Sequence, residues 1–514
     1  MKQAVVIIHG MGEQIPMETL QSFVETVWVK DESLIDKGRP DSATGSPRKE
    51  NAVWSKPDRR NRSFELRRMT TEAIDDKHGS TDFFEFYWAH LIHGTTWEHL
   101  SAWLWDLLWR RPGRVPRGVR SAWVLLWIIS AVVGLSVLAA FVPIGTLRNC
   151  LLNNCTADPS DQTSFWWLVI FPVLLGIIGI AAGYLTDKYL LRYFGDVARY
   201  VKAQPLNVAR RQEIREKGVE LLETLMGYEA GKPFKREYDR IIVVAHSLGS
   251  IVAYDILTHC FARLNRTNEL DKAKLTGSRQ PERDKLEAMI RAAAGLKNDV
   301  VAAANPLPGA PSLAPTPFSI DEYQEQQARC LKELAEQGSP WIVSDFVTLG
   351  SPLAHAEFLL AADKPDLRKA QERRILPTCP PAMEYDGKTK QRHFTFRHTD
   401  DATASDPLTY RIPHHAALFA YTRWTNLHSP HKAILWGDII SGPLAGQFAA
   451  NLNGQLVRGI RDLQVLPERD EMGEIVEGLR IPFFSHTKYW RFSPGRPEPH
   501  HIRTLRRALR LKCR

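Results

Sequence analysis

Residues 240–254 read RIIVVAHSLGSIVAY: four β-branched aliphatics run into Ala-His-Ser-Leu-Gly, and small or apolar residues at helical spacing follow (Ser250, Ala253, Tyr254, Leu257). The pattern predicts a strand, a tight turn and a helix. A serine on such a turn projects its hydroxyl above the sheet edge, while the N–H of Leu248 and the helix amino terminus face a developing oxyanion. Ser247 is therefore the candidate nucleophile. Small residues are needed beside it because strand and helix approach closely, and Ala245 meets that requirement in place of the first glycine of G-x-S-x-G. The pentapeptide alone is weak, expected about 0.4 times by chance in a chain of this length. Its position between a β-branched strand and a helix carries the reading.

Near the start of the chain, AVVII at 4–8 predicts a buried strand and not a signal-peptide core, and His9-Gly10-Met11-Gly12-Glu13 follows it. A His-Gly turn there offers a second oxyanion N–H, that of Met11, with Gly12 beside it. Together these elements resemble the α/β-hydrolase superfamily, and AHSLG with an upstream HGMG turn is most similar to its lipase and esterase branch. The similarity extends to FVTLGSPL at 346–353 and covers about 150–200 residues of the chain. The resemblance implies the chain order serine, acid, histidine, with no cofactor and no metal.

Residues 407–461 contain one carboxylate, Asp438, after a short apolar stretch at 433–436 and before a glycine-containing turn. The preceding RWTNL at 423–427 is similar to the W-x-N segment that leads into the acid strand of lipase-like hydrolases, although an Asp often comes sooner there, near the position of Lys432. Asp363, after the TLGSP strand, stays as the reserve acid. The base must be a histidine beyond the acid, because imidazole titrates near neutrality and can take and return the serine proton. His486, in FFSHTKYW, lies 48 residues past Asp438 with room for a helix over 444–466, whereas His500 and His501 belong to a basic tail. His246, His414, His415, His428 and His431 read as hydrogen-bonded structural histidines, since no carboxylate or Cys spacing accompanies them.

These residues need a scaffold. The chain has 514 residues, 44% hydrophobic and 24% charged, enough for a sizeable core and for three average domains or one large domain with insertions. Its 32 Gly and 32 Pro exclude collagen-like and wholly disordered classes. Further strand-like runs at 63–69, 82–88, 341–349 and 433–436, separated by helical stretches, favour an α/β fold of hydrolase type: a mostly parallel sheet with helices on both faces. Six cysteines without CxxC spacing argue for a reducing compartment and against zinc.

The formal net charge of +9 sits beside apolar segments, which argues for a membrane and against nucleic acid. Residues 122–142 and 165–185 are uncharged over 21 positions each, and at ~1.5 Å per residue either covers a ~30 Å hydrocarbon core. Arginines at 110, 111, 114, 117 and 120 precede the first run, and Lys188, Arg192, Arg199 and Lys202 follow the second. The positive-inside bias then predicts an integral membrane protein with a two-helix transmembrane hairpin and a cytoplasmic catalytic domain.

The expected organisation is an N-terminal hydrolase part with the oxyanion turn (1–109), the hairpin with its basic flanks (110–202), the nucleophile strand-turn-helix (203–263), and a helical, Pro-rich insertion or cap (264–340). A C-terminal hydrolase part with acid and histidine (341–495) and a basic tail (496–514) complete it. In the tail, Ile502, Leu505, Leu509 and Leu511 are spaced for an amphipathic helix on anionic lipid, or for a solvated tail. Three functions stay open on the sequence: a membrane-anchored serine hydrolase of carboxylic esters, most naturally of lipids, working through a Ser-His-Asp triad and an acyl-enzyme; a serine hydrolase of thioester or amide bonds; and a catalytically inactive membrane scaffold.

Overall fold

Runs of β-branched and aromatic residues build an eight-stranded sheet in the computed structural model. Apart from single positions within these ranges, it describes residues 2–10, 15–60, 66–73, 79–91, 205–265, 280–296, 318–399, 409–430, 437–466, 482–491 and 498–512, with only scattered positions from 92 to 204. The sheet strands are β1 (Gln3–Ile8), β2 (Val53–Pro57), β3 (Arg67–Thr71), β4 (Thr81–Phe86), β5 (Arg240–His246), β6 (Val343–Leu349), β7 (Arg423–His428) and β8 (Arg461–Gln464). Their spatial order is β8-β7-β6-β5-β1-β4-β3-β2. From β8 to β4 every neighbouring pair is parallel, and β3 and β2 add an antiparallel edge.

Parallel strands buried on both faces read as continuous apolar runs, and β1 and β5 do so. Among the described residues, seven α-helices of seven or more residues accompany the sheet: α1 (Glu18–Val24), α2 (Pro205–Met226), α3 (Gly249–Leu264), α4 (Pro281–Ala293), α5 (Ile320–Glu336), α6 (Lys364–Glu372) and α7 (His500–Leu509). On one face Val5, Ile7, Ile242, Val244 and Val347 pack with Leu20 and Phe23 of α1 and Leu505 and Leu509 of α7. On the other, Val6, Ile8 and Val243 meet Leu221 and Leu222 of α2 and Ile256 and Leu257 of α3. The period of two along each strand thus feeds two apolar layers.

Several expectations change here. The C-terminal helix α7 does not offer an apolar face to lipid: Ile502, Leu505 and Leu509 are wholly buried and Leu511 is 5% exposed. Its amphipathic pattern is the signature of a helix packed on a core, and the same pattern suits a membrane surface. The helix expected over 444–466 is replaced by a hairpin, Ala450–Leu452 with Gln455–Val457, followed by β8. Asn453 and Gly454 turn it with φ of +51° and +84°, both in the left-handed region that a two-residue hairpin loop of the Asn-Gly kind requires. Strand β2, in the polar stretch after residue 30, is a half-exposed to exposed edge strand whose residues lack the alternation that marks a buried one.

The chain divides into two compact units, Met1–Ile92 with Val208–Arg514, and His93–Asn207. In the second, the described residues include helical turns near 123–134, where Trp127 meets Trp109 and Trp123 edge-on at 6.0 and 6.3 Å. The expected two-helix transmembrane hairpin is corrected: among the described residues no helix is long and apolar enough to cross a membrane. Most of the two runs at 122–142 and 165–185 lies outside the described residues. An uncharged run is a weaker condition than a span, which needs an unbroken helix to satisfy every backbone polar group. The integral-membrane localisation, which rested on the hairpin, falls with it.

Candidate active site

The chain order reverses at β1, with β4 on one side and β5 on the other. In open parallel sheets the crevice at the carboxyl ends beside such a switch point is where ligands bind. β1 leads into His9 and Gly10 there, and β5 leads into Ser247. A Cβ on Gly10 would lie 2.8 Å from Ser247 Cβ, so glycine is what lets the first turn close on the serine.

Ser247 has φ +53°, a left-handed conformation that costs a non-glycine residue on the order of 1–3 kcal/mol. Its surroundings hold it there. Ser247 N–H donates to Leu349 O at 3.0 Å, and Ser247 O accepts from Ser250 N–H at 2.9 Å and from the Ser250 hydroxyl at 2.6 Å. Leu248 forms the amino-terminal cap of α3, where the first N–H groups have no acceptor within the helix.

The structure brings Ser247, His486 and Asp438 together. The Ser247 hydroxyl donates to His486 Nε2 at 2.8 Å, and His486 Nδ1–H donates to Asp438 Oδ2 at 2.9 Å. All three side chains are buried. Asp438 Oδ1 accepts the N–H groups of Ile440 at 3.0 Å and Ser441 at 3.3 Å, as expected for an acid at the start of a turn. Burial alone would raise the Asp438 carboxyl, but the adjacent His486 imidazole and the hydrogen bonds from His486, Tyr489 and Ser441 hold it well below the usual carboxylate range. An acid held ionised beside the imidazole is the arrangement that stabilises an imidazolium when it forms.

Asp363, the reserve acid, is elsewhere: its side chain caps α6 by accepting Asp366 N–H at 3.0 Å. His501 donates through Nε2 to Arg491 O at 2.9 Å, and His414 and His415 likewise reach Ala382 O at 2.9 Å and Arg374 O at 3.1 Å. His246 donates through Nε2 to His486 O at 2.7 Å, tying the nucleophile turn to the loop that carries the base. Burial, with His486 nearby, lowers His246 to about 3, so it stays neutral. Met11 and Gly12, expected at the oxyanion site, lie outside the described residues, as does His431. His9, one residue before Gly10, stacks on Trp88 with ring centres 5.1 Å apart and accepts Trp88 N–H on Nε2 at 3.2 Å.

Sequence reasoning missed two contributors. Tyr489 was legible only as an aromatic anchor, yet its hydroxyl donates to Asp438 Oδ2 at 2.8 Å. The usable signal was the need of any buried phenol for a polar partner, three residues from a candidate base. Gly350, within TLGSP, has φ +59°, and a Cβ there would lie 2.7 Å from Tyr489 Cε2 and 3.2 Å from Asp438 Oδ2. Among the described residues no group of three or more His, Cys, Asp or Glu could hold a metal ion. No family model, curated protein or solved structure matches the chain.

Proposed function

We propose that this protein is a serine hydrolase that cleaves carboxylic esters through an acyl-enzyme. The observation that carries the reading is the unbroken hydrogen-bond relay from Ser247 through His486 to Asp438, with the serine in a left-handed turn at the amino end of a helix. Ser247 Oγ attacks the carbonyl carbon as its proton passes to His486 Nε2, and the carbonyl π pair moves to oxygen. Leu248 N–H and the start of α3 face that oxyanion, and the resemblance of HGMG to lipase-like turns would make Met11 N–H the second donor. Collapse breaks the bond to the alcohol, which takes the proton from Nε2, and water repeats the sequence on the acyl group. The resemblance of AHSLG and HGMG to lipases and esterases supports acyl esters, lipids included, as the substrate class.

The test is covalent. A fluorophosphonate probe should label the wild-type protein, and Ser247→Ala and His486→Ala should each lose labelling and p-nitrophenyl ester hydrolysis by at least about 10³-fold while remaining folded. Labelling that survives Ser247→Ala would remove the mechanism. Turnover of a thioester or anilide in place of the ester would keep the mechanism and move the substrate class.

A further inference from the structure

Tyr489 is wholly buried, three residues beyond His486, and its hydroxyl stands among three polar partners. It lies 2.8 Å from Asp438 Oδ2, 3.0 Å from Ser429 N and 3.0 Å from Ser441 Oγ. The proton assignment follows from chemistry. Ser429 N–H can only donate and the carboxylate can only accept, so the single phenol proton goes to Asp438, and the Ser441 hydroxyl, like Ser429 N–H, donates to the phenol oxygen. Asp438 Oδ2 therefore receives two donors, the phenol and His486 Nδ1–H, while Oδ1 receives two backbone N–H groups. Burial and the neighbouring carboxylate push the Tyr489 phenol well above its usual range, which keeps it a donor.

We infer that Tyr489 is a positioning residue that pins the Asp438 oxygen facing His486 and sets how much negative charge that oxygen presents to the imidazole. The inference rests on the relay reading above. A donor to an anion disperses its charge and lowers its strength as an acceptor, so the phenol weakens the pull of Asp438 on the His486 proton. It also fixes Oδ2 in line with Nδ1. Besides Asp438, the titratable group facing the imidazole is His246 at the end of β5, its ring centre 5.0 Å away; Lys488, two residues along the chain, is buried. His428 at the end of β7 senses the Asp438 charge, and His9 senses His246. None of these shares the Asp438 oxygen; Tyr489 does.

The test is the acidic limb of kcat/KM against pH, which reports protonation of the base in the free enzyme. Tyr489→Phe returns full charge to Oδ2, so the imidazolium is better stabilised and the limb should move to higher pH by about 0.5–1 unit. Site-specific replacement of Tyr489 by 3-fluorotyrosine, a stronger donor of similar size, should move it the opposite way, and this variant carries the test if the phenylalanine variant does not fold. A loss of packing alone does not produce shifts of opposite sign. Limbs that stay in place, or that move together, would overturn the role of Tyr489. Ser247→Ala is run beside them: activity lost there with unmoved limbs overturns only this inference, whereas activity retained there overturns the relay on which it rests.

Discussion

Two hydroxyl–imidazole–carboxylate chains occur among the described residues. In one, Ser247 Oγ, His486 and Asp438 are linked at 2.8 and 2.9 Å; in the other, Thr389 Oγ1 lies 2.9 Å from His393 Nε2, and His393 Nδ1 lies 2.5 Å from Glu287 Oε2. Both carboxylates are 1% exposed. The difference lies around the relays. Ser247 is held at φ +53° where a parallel strand turns into a 16-residue helix, beside the switch point of the sheet. Thr389 is exposed in the turn of a short antiparallel hairpin, Glu384–Asp386 with Gln391–His393. Glu287 Oε1 also accepts Phe394 N–H and the Thr395 hydroxyl, each at 3.1 Å, so that carboxylate staples the hairpin to α4. A relay can prime a hydroxyl, but hydrolysis also needs donors aimed at the oxyanion, and the amino end of a helix supplies them at only one of the two sites.

The largest effect that separates the two comes from their acids. Asp438→Asn should lower kcat/KM for a p-nitrophenyl ester by about 10³–10⁴-fold, because the amide holds the imidazole in the wrong tautomer. Glu287→Gln and Thr389→Ala should leave that rate within about twofold, while Glu287→Gln lowers the urea midpoint by the equivalent of about 1–3 kcal/mol for its buried donors. A rate loss in Thr389→Ala would break the comparison.

A smaller contrast uses two glycines. Gly350→Ala puts a Cβ at φ +59°, 3.1 Å from His486 Nδ1 and 2.7 Å from Tyr489 Cε2, and should cost about 1–3 kcal/mol of stability with a 10–100-fold loss of turnover. Gly387→Ala, in the hairpin that carries Thr389, meets nothing within 4 Å and should stay within about 0.5 kcal/mol of wild type in both thermal and urea melts. Equal effects at the two positions would show that neither site is more tightly specified than the other.

The smallest expected effect is acid sensitivity of the nucleophile turn. His246 has a folded value of about 3 against an ordinary 6.5, so below about pH 6.5 the unfolded chain takes up a proton that the folded protein refuses. Stability is therefore complete above that pH and falls as the pH drops, by up to about 2 kcal/mol from this residue at pH 5. His246→Gln keeps a side-chain donor for His486 O and should flatten the decline in urea midpoint between pH 7 and 5. An unchanged slope would assign the acid sensitivity to other buried histidines, such as His9, lowered to about 4 by its burial.

Legibility followed the range of the forces involved. The strand, turn and helix around Ser247 were readable because β-branched residues, a small residue beside the serine and helical spacing act within about ten residues of one another. The Asn-Gly turn at 453–454 was equally local and carried the hairpin that a helix was expected to occupy. The amphipathic pattern of α7 was legible as a pattern, but whether its apolar face meets lipid or protein depends on what else is nearby, and the turn Glu25–Val29 after α1 and strand β6 are what it meets. The two uncharged runs were apolar enough for a span by composition, a property that does not by itself specify an unbroken helix.

What the sequence determined alone was the chemistry on offer: a serine on a sharp turn, one carboxylate in a long stretch without others, and a histidine beyond it. Only the tertiary structure decided which of them meet. Ser247 and His486 are separated by 239 positions and Asp438 and His486 by 48, so no local propensity links them. Their contact is set by the packing of strands β1, β5, β6 and β7 side by side, which brings the turns at their carboxyl ends to one edge. The same packing sends Asp363 to a helix cap and Tyr489 to the acid. A side chain's partner at long range is chosen by the fold that buries it, because a buried polar group left without one costs more than most local preferences can offset.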